Sequence, residues 1–421
     1  METYGKILLI AMPAFLLLVL FEKWYAWRKG YDNVRTNDMI SSLLSGVTNV
    51  TKDVLGLSIA IYGYGWMVNH WALYHIEATW LVYLIAFITL DFAGYCVHRI
   101  QHEYNFFWNS HLVHHSSEEF NLACALRQSI SSIVKVFAIF LLPAALLGVP
   151  EKVIAVVAPL HLFAQFWYHT IHINKMGWLE KVIVTPSHHR VHHAINPEYL
   201  DKNYSQIFIW WDKWFGTFQE ELPEKPPIYG ITRPVQTWNP IKINFQHLWL
   251  LLKDAWRTKS LKDKFRIWLM PTGWRPADVE KLYPVYKIKD VYHFKKYNTE
   301  ISSSLKVWAW VQLIALLLFI SYLFATIATI GSPGIFLYGF YIFLFVYAFS
   351  ELLDRHPQAW IWELAKGLTA LLIIFYTKDW FFINNYTSVG TSIIVLYNLV
   401  SIVITGYFCR TFQKNKLQVN E

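Results

Sequence analysis

Histidines are concentrated in one part of this 421-residue chain, where twelve of the 17 lie between residues 98 and 193. Three groups are regularly spaced: an HxxxH motif at His98 and His102, and HxxHH motifs at residues 111–115 and 189–193. Histidines three or four residues apart share one face of a helix, whereas an adjacent histidine points about 100° around the helix axis. One HxxHH motif can therefore provide ligands to two different metal ions.

The number of clustered histidines predicts two metal ions. Imidazole nitrogen suits iron and zinc, and one such ion takes about four to six ligands. Eight imidazoles are too many for one ion, and burying them without a metal would carry a desolvation cost. The eight candidate ligands are His98, His102, His111, His114, His115, His189, His192 and His193.

The remaining histidines have weaker patterns. His161, His169 and His172 lie in or just after an apolar run, and His169 is the best candidate among them for an additional ligand. His188 directly precedes the last motif, and its spacing does not decide whether it binds metal. Five isolated histidines are expected to be ordinary polar residues at helix ends: His70, His75, His247, His293 and His356.

Motifs of other enzyme classes are absent from the sequence. His102 and Glu103 begin an HExxH zinc-protease motif, but Phe106 occupies the position of its second histidine. The three cysteines form no CxxC pair, which argues against a thiolate metal site or a disulfide framework. There is also no GxSxG motif and no phosphate-binding loop. A histidine-only dinuclear site beside a membrane favours O2 activation and attack on an unactivated C–H bond.

The chain that must position these histidines is unusually apolar. Hydrophobic residues make up 55% of it and charged residues only 16%, which is atypical of a soluble domain. Aromatic residues reach 18%, as expected where Trp and Tyr anchor helix ends at a membrane interface. We therefore expect an all-α, polytopic integral membrane helical bundle with the di-metal site at its cytosolic face.

Apolar runs predict eight or nine membrane spans of about 20 residues each. Thr51, Lys52 and Asp53 interrupt the second run, the eighth is short, and a tight reversal joins the fourth to the fifth. The first run lacks a small-residue cleavage site, so we interpret it as a membrane helix rather than a signal peptide. The runs are residues 7–21, 43–68, 78–97, 130–149, 153–173, 305–330, 334–352, 360–376 and 389–408.

One long polar segment separates the last four runs from the others. Residues 175–303 contain 20 Lys or Arg and 13 Asp or Glu, and so carry most of the net charge of +8. These basic residues are scattered, which argues against a nucleic-acid partner and favours a cytosolic location next to the membrane. We expect four parts: N-terminal membrane helices (1–75), a histidine-rich di-metal core (76–220), a basic cytosolic segment (221–304) and C-terminal membrane helices (305–421).

The order of the histidine motifs in a polytopic chain resembles the fatty acid hydroxylase/sterol desaturase superfamily, and within it the alkylglycerol monooxygenase (glyceryl-ether monooxygenase) family. Asp91 and Phe92 before the first motif and Glu103 after His102 add to the likeness. A weaker likeness in the C-terminal runs separates the chain from shorter sterol desaturases. The stretches that carry the resemblance are residues 114–118, 121–122, 125–129, 165–167, 169–170, 185–193, 201–204, 211–213, 215–218, 229–230 and 352–354 with Pro357.

The resemblance implies a non-haem di-iron oxygenase in which the eight motif histidines bind two Fe ions. The family also has a histidine at the position of His169. Glu103 and Tyr204 are implied to matter for activity, around the electron donor. From the residues alone, Glu103 could instead accept a hydrogen bond from His102, and Tyr204 could be an interface aromatic.

The implied reaction uses O2 to hydroxylate the carbon beside the ether oxygen of an alkylglycerol lipid, which then releases a fatty aldehyde and a glycerol derivative. Tetrahydrobiopterin is the implied electron donor. The membrane would be the endoplasmic reticulum in a eukaryote or the inner (plasma) membrane in a bacterium. A sterol or fatty-acyl hydroxylase or desaturase of the same superfamily is one alternative. A membrane metal carrier is another, although histidines at helix ends on one face argue against a transport path.

Overall fold

The computed structural model describes residues 2–57, 59–60, 63–132, 134–135 and 137–418. These residues form sixteen α helices, four short 3-10 turns and one parallel pair of two-residue strands, β1 (Ile59–Ala60) and β2 (Val134–Lys135). The helices are α1 (Glu2–Lys29), α2 (Thr36–Val54), α3 (Tyr64–Trp71), α4 (Trp80–Glu103), α5 (Asn105–His115), α6 (Leu142–Leu146), α7 (Glu151–Phe163), α8 (Pro186–His192), α9 (Trp210–Phe215), α10 (Pro240–Arg257), α11 (Leu261–Arg266), α12 (Ala277–Leu282), α13 (Ser303–Ile330), α14 (Gly334–Leu353), α15 (Ala359–Thr377) and α16 (Gly390–Gln418).

Six helices within the described ranges are long and apolar enough to cross a membrane. They confirm the predicted all-α, multi-pass architecture, but they do not confirm the predicted count of eight or nine spans. The six segments are Gly5–Lys29, Trp80–Glu103, Ser303–Ile330, Gly334–Leu353, Ala359–Thr377 and Gly390–Gln413.

The other three apolar runs form shorter elements. Residues 43–68 cover the end of α2 and part of α3; α2 buries polar side chains and ends before Gly56, whose φ is +67°. Residues 130–149 divide into β2, a 3-10 turn and the five-residue α6, apart from positions outside the described ranges. In the run 153–173, α7 has 13 residues, about 20 Å of helix against a hydrocarbon layer of about 30 Å.

The predicted reversal between the fourth and fifth runs is present. Gly148 adopts a φ of +76° in the turn after α6, and Pro150 precedes the first residue of α7. From this turn α7 returns along α4, where Val153 and Val157 pack against Val82 and Ala86. This packing brings the end of α7 towards the histidine motifs.

The C-terminal helices form the largest apolar core of the described chain. Helices α13 to α16 pack in sequence, and α1 packs against α13. Tyr338, Tyr341 and Phe345 on α14 are fully buried in this core. The bundle also encloses a charged pair, because Lys366 Nζ lies 2.6 Å from Glu363 Oε1 on the same helix, α15.

The polar segment covers the end of the bundle where the histidine motifs lie. Asp354, directly after α14, accepts hydrogen bonds from the Trp238 backbone N–H at 2.8 Å and the Tyr297 hydroxyl at 2.9 Å. Tyr104, directly after α4, forms an antiparallel bridge with Pro271. Segments around residues 238, 271 and 297 are therefore fixed to the ends of α4 and α14.

Candidate metal centre

Three helix ends and one loop supply the clustered histidines. The last two turns of α4 carry His98 and His102, and α5 reverses the chain to present residues 111–115. The buried Asn105 secures this reversal, since its side-chain amide donates to the carbonyls of Ile267 and Trp274. Helix α8 and the residue after it supply the last motif, and His169 lies in the loop after α7.

Five of these histidines form the group nearest to α4. Their candidate ligand nitrogens all lie within 4.8 Å of one another. His111 is central, because its Nε2 lies 2.8 Å from His98 Nε2 and 3.0 Å from His115 Nε2. This five-histidine group consists of His98, His102, His111, His115 and His192.

The remaining four form a second group that meets the same 4.8 Å limit. His169 Nε2 lies 3.3 Å from His114 Nε2 and 2.9 Å from His189 Nε2, and His193 Nε2 lies 3.0 Å from His189 Nε2. This four-histidine group consists of His114, His169, His189 and His193. The structure thus brings together all nine histidines named from the sequence, and each HxxHH motif contributes to both groups.

Backbone carbonyl groups fix the orientation of several rings. The Nδ1 atom of His98 lies 2.7 Å from the Tyr204 carbonyl oxygen, and that of His192 lies 2.9 Å from the Lys202 carbonyl oxygen. The Nδ1 atom of His169 lies 3.0 Å from the Gln165 carbonyl oxygen. A carbonyl only accepts hydrogen bonds, so each Nδ1 carries the proton and each Nε2 presents a lone pair to its group.

These lone pairs fit a metal ion. Neighbouring Nε2 atoms lie 2.8–3.3 Å apart, and where neither carries a proton they repel each other unless a cation lies between them. Two imidazole ligands about 2.1 Å from one ion, at angles between square and tetrahedral, would lie about 3.0–3.4 Å apart. The buried Nε2 atoms of His102 and His192 also have no hydrogen-bond partner. Both groups therefore have the donor type and spacing that iron or zinc requires, and the five-histidine group also has buried Nε2 atoms without a partner.

Burial keeps these imidazoles neutral and able to act as ligands. It lowers the pKa of His169 to about 4, with the nearby backbone carbonyls opposing the shift. Burial also lowers the pKa values of the six histidines in the two HxxHH motifs well below the usual value, and neighbouring histidines add to that effect. At neutral pH these rings carry lone pairs rather than positive charge.

Two buried aspartates hold the chain segment that orients His98. Asp212 accepts hydrogen bonds from the backbone N–H groups of Tyr204 and Ser205, both at 2.8 Å. Asp91 on α4 accepts from the backbone of Ile207 and Phe208 and from the ring nitrogen of His161. The sequence did not mark Asp212 as a site residue; its only signal was its position in a stretch of the family resemblance.

Glu103 and Tyr204 both lie beside the five-histidine group, in different settings. Glu103 is 40% exposed and accepts a hydrogen bond of 2.7 Å from Arg99. The carboxylate near His102 Nδ1 is that of Asp201, at 3.4 Å, whereas the Glu103 carboxylate pairs with Arg99. Tyr204 is 1% exposed, and its ring centroid lies 5.2 Å from that of His102, so it is not an interface aromatic.

Eight other histidines lie outside the two groups. His188 caps α8, where its Nδ1 accepts from the Thr185 backbone N–H, and His161 pairs with Asp91. His172 packs against the rings of Tyr25 and Tyr31. The five isolated histidines also lie outside both groups: His70, His75, His247, His293 and His356. His247 is buried in the middle of α10 rather than at a helix end, and His356 lies with Glu351 and Asp354 in a third set of possible metal ligands.

A cavity of about 270 Å³ adjoins the five-histidine group. His102, His115 and His192 line one side of it, and Arg233 and Lys287 from the polar segment also line it. The cavity exceeds many times the space of about 10–15 Å³ that one water molecule needs. It is thus large enough for a small polar group beside the histidines.

Comparison with known proteins gives this geometry a context. Residues 83–217 match the family model described as fatty acid hydroxylase. The alkylglycerol monooxygenase of Homo sapiens is 35% identical over 370 residues, which cover 86% of this chain and 81% of that protein. The alkylglycerol monooxygenase of Xenopus tropicalis is 33% identical over 371 residues, covering 86% and 80%.

More distant relatives match a smaller share of the chain. A Delta(7)-sterol 5(6)-desaturase of Gibberella zeae is 26% identical over 194 residues, 44% of this chain and 52% of that protein. No solved structure matches the chain at a significant level. The fatty acid hydroxylase match contains all nine grouped histidines, whereas the alkylglycerol monooxygenases align far beyond it. The chain therefore belongs to the alkylglycerol monooxygenase family of membrane lipid hydroxylases and contains a fatty acid hydroxylase domain.

Proposed function

We propose that the chain is an iron-dependent monooxygenase that cleaves the ether bond of alkylglycerol lipids. The observation that supports it best is the pair of buried histidine groups next to the end of the membrane span α4, one of them beside a cavity. The five-histidine group would hold one iron ion and the four-histidine group a second. When bound, two iron ions would supply binding positions for O2 and pass on the electrons that an external donor provides.

The substrate assignment follows from the relatives. The names of the human and frog proteins specify alkylglycerol as the substrate of a monooxygenase. In the proposed reaction, one oxygen atom of O2 enters the C–H bond beside the ether oxygen, and two electrons and two protons convert the other oxygen to water. The hemiacetal formed then loses the glycerol derivative, leaving a fatty aldehyde. A tetrahydropterin is the proposed two-electron donor, on the basis of the family resemblance.

The chain's own groups would prepare this site in two ways. Backbone carbonyls hold the protons of His98, His192 and His169 on Nδ1, so that every Nε2 is available. Burial raises the pKa of the Tyr204 phenol, which keeps it protonated beside the histidines as a hydrogen-bond donor. We propose that Tyr204 positions the substrate or the reductant, and that Glu103, paired with Arg99, contributes at the more exposed edge.

The cavity offers a place for the polar end of the lipid. It contacts three members of the five-histidine group and is lined by polar as well as apolar side chains. The glycerol hydroxyl groups could hydrogen-bond to Arg233, Thr232 or Asp201, which line it. In this arrangement the ether-linked carbon would lie next to the histidines, and the alkyl chain would extend towards the membrane.

In the proposed organisation, residues 76–220 are the di-iron core and residues 221–304 are the polar segment. Membrane helices precede them at 1–75 and follow them at 305–421. We propose that the core faces the cytosol, because the adjoining polar segment carries an excess of Lys and Arg. The membrane would be the endoplasmic reticulum in a eukaryotic cell and the plasma membrane in a bacterial one.

An assay for aldehyde release tests this function. The full-length protein, purified with iron into lipid nanodiscs, is given an alkylglycerol, O2 and a tetrahydropterin. We expect a fatty aldehyde from the parent chain and from a His293→Ala control, and none from a His115→Ala variant. A parent chain that contains iron but oxidises a sterol or a fatty-acyl lipid instead of the ether lipid would contradict the substrate and support the other members of the superfamily.

A further inference from the structure

An exposed apolar face runs along the polar segment, outside the metal centre. Four residues on α10 lie on one stripe, at intervals of four, three and four positions: Phe245, Trp249, Leu252 and Trp256. The stripe continues through α11 and the turn after it. This face, here called the 240–270 face, comprises Phe245, Trp249, Leu252, Trp256, Leu261, Phe265 and Leu269, which are 39–85% exposed.

The opposite side of α10 accounts for the attachment of the helix to the protein. Ile243, His247 and Leu251 are buried and recur at intervals of four. Leu250 and Leu251 line the cavity beside the five-histidine group. Helix α10 therefore forms a wall with the cavity on one side and the exposed apolar stripe on the other.

Both ends of this face are fixed at the level where membrane-spanning helices end. At its start, Lys242 Nζ lies 2.5 Å from Glu351 Oε1, in the last turn of the span α14. Just after its end, the backbone N–H of Asn105, which follows the span α4, donates to the Met270 carbonyl at 3.0 Å. A segment held at two span ends lies along the plane where hydrocarbon meets the lipid headgroups.

The charges beside the face match an anionic lipid surface. Residues 240–270 contain seven Lys or Arg and two Asp, a net charge of +5. The two acids are already paired, Asp254 with Arg275 and Asp263 with Arg266. Apolar side chains with Trp, flanked by basic residues, are typical of helices that lie in the headgroup layer.

We propose that the 240–270 face is inserted into the headgroup layer of the bilayer that contains the spans. Helices α10 and α11 then lie parallel to the membrane plane, with the apolar stripe about 5–10 Å into the boundary between headgroups and acyl chains. The polar segment is thus partly embedded, and α10 separates the lipid layer from the cavity. This inference depends on the exposed stripe and the two anchored ends, and not on the proposed reaction.

Depth-dependent fluorescence quenching in full-length protein tests the proposal. Trp256→Cys and Phe265→Cys variants are labelled with an environment-sensitive fluorophore, as is a His293→Cys control, whose native side chain is 83% exposed in the same polar segment. The parent chain corrects for labelling of the native cysteines. Each protein is placed, one copy per disc, in nanodiscs of phosphatidylcholine and phosphatidylserine with lipids spin-labelled at a shallow or a deep acyl position.

We expect a blue shift and loss of fluorescence at positions 256 and 265, greater with the shallow spin label, and no loss at 293. Because both substituted side chains are exposed, their removal does not disturb the core, and either position alone gives a result. Quenching at both positions no stronger than at 293 would overturn the proposal. If the 240–270 face instead binds a second copy of the chain, single-copy discs would show this same weak quenching. Stronger quenching by the deep spin label than by the shallow one would also overturn the proposal.

Discussion

The Nδ1 atom of His98 lies 2.7 Å from the backbone carbonyl oxygen of Tyr204, although the two residues are 106 positions apart. This contact leaves the His98 Nε2 lone pair directed at His111. The carbonyl keeps its place because Asp212 binds the N–H groups of Tyr204 and Ser205 and the hydroxyl of Thr217. A buried carboxylate that touches no proposed metal thus determines the orientation of a proposed ligand.

Replacement of Asp212 by Asn should weaken metal binding. The amide retains one acceptor oxygen but cannot accept from both backbone N–H groups, so the Tyr204 carbonyl loses part of its support. Loss of such indirect ligand support typically reduces metal affinity or activity about 10–100-fold. The measurement is the iron retained as chelator concentration rises. An Asp290→Asn variant, on the exposed surface, should retain iron like the parent; equal retention in Asp212→Asn would contradict this role.

Substitutions at the adjacent residues His192 and His193 should affect different ions. His192 belongs to the five-histidine group and His193 to the four-histidine group. Each single change to Ala should lower the bound iron from two ions to about one per chain, because each removes a ligand from only one group. Elemental analysis of purified protein measures this, with His293→Ala as control. Full iron content in both variants would count against the two-group assignment.

The sequence predicted the histidine groups well because their spacing is local. Adjacent His114 and His115 must point in different directions on a helix, and the structure places them in different groups. The supporting contacts are less predictable, since those between His98 and Tyr204 and between His102 and Asp201 join residues distant in the chain. Likewise, hydropathy marked residues 43–68 as a span without revealing that α2 buries polar residues such as Asp38, which pairs with Arg127.

Disruption of the buried Lys366–Glu363 pair should destabilise the C-terminal bundle. Lys366 is fully buried, its Nζ lies 4.2 Å from the Phe345 ring centroid, and Glu363 also accepts from the Ser401 hydroxyl. A Lys366→Met variant leaves the Glu363 carboxylate without its cation, which typically costs about 3–5 kcal/mol. Thermal unfolding in nanodiscs measures the effect.

A second substitution separates lost charge balance from lost packing. The double variant Lys366→Met/Glu363→Gln has no unpaired charge, so it should recover most of the stability lost in Lys366→Met. If the double variant is as unstable as the single one, packing rather than charge pairing explains the loss.

His247 should contribute to loss of stability in acid. Burial, with help from the positive charge of Arg233, lowers its pKa from 6.5 to about 4, although its hydrogen bond to the Asn105 carbonyl opposes the shift. Because the folded pKa is lower than the unfolded one, its stabilising contribution is complete above pH 6.5 and is lost as the pH falls towards 4. The full effect is about 3 kcal/mol.

A His247→Gln variant isolates this contribution from that of the other histidines. Glutamine can still donate to the Asn105 carbonyl but does not titrate. Its unfolding midpoint should therefore fall less than that of the parent between pH 7 and pH 4. If the unfolding midpoints of parent and variant fall equally between pH 7 and pH 4, protonation of His247 does not destabilise the folded protein.

The fate of molecular oxygen tests the account most directly. The iron-loaded chain is supplied with ¹⁸O2, an alkylglycerol and a tetrahydropterin, and the aldehyde is trapped at once by borohydride reduction to the alcohol. Hydroxylation of the ether-adjacent carbon predicts one ¹⁸O atom in the fatty alcohol and none in the released glycerol derivative. If an active preparation gives a fatty alcohol and a glycerol derivative that both lack ¹⁸O, the result would contradict a monooxygenase mechanism.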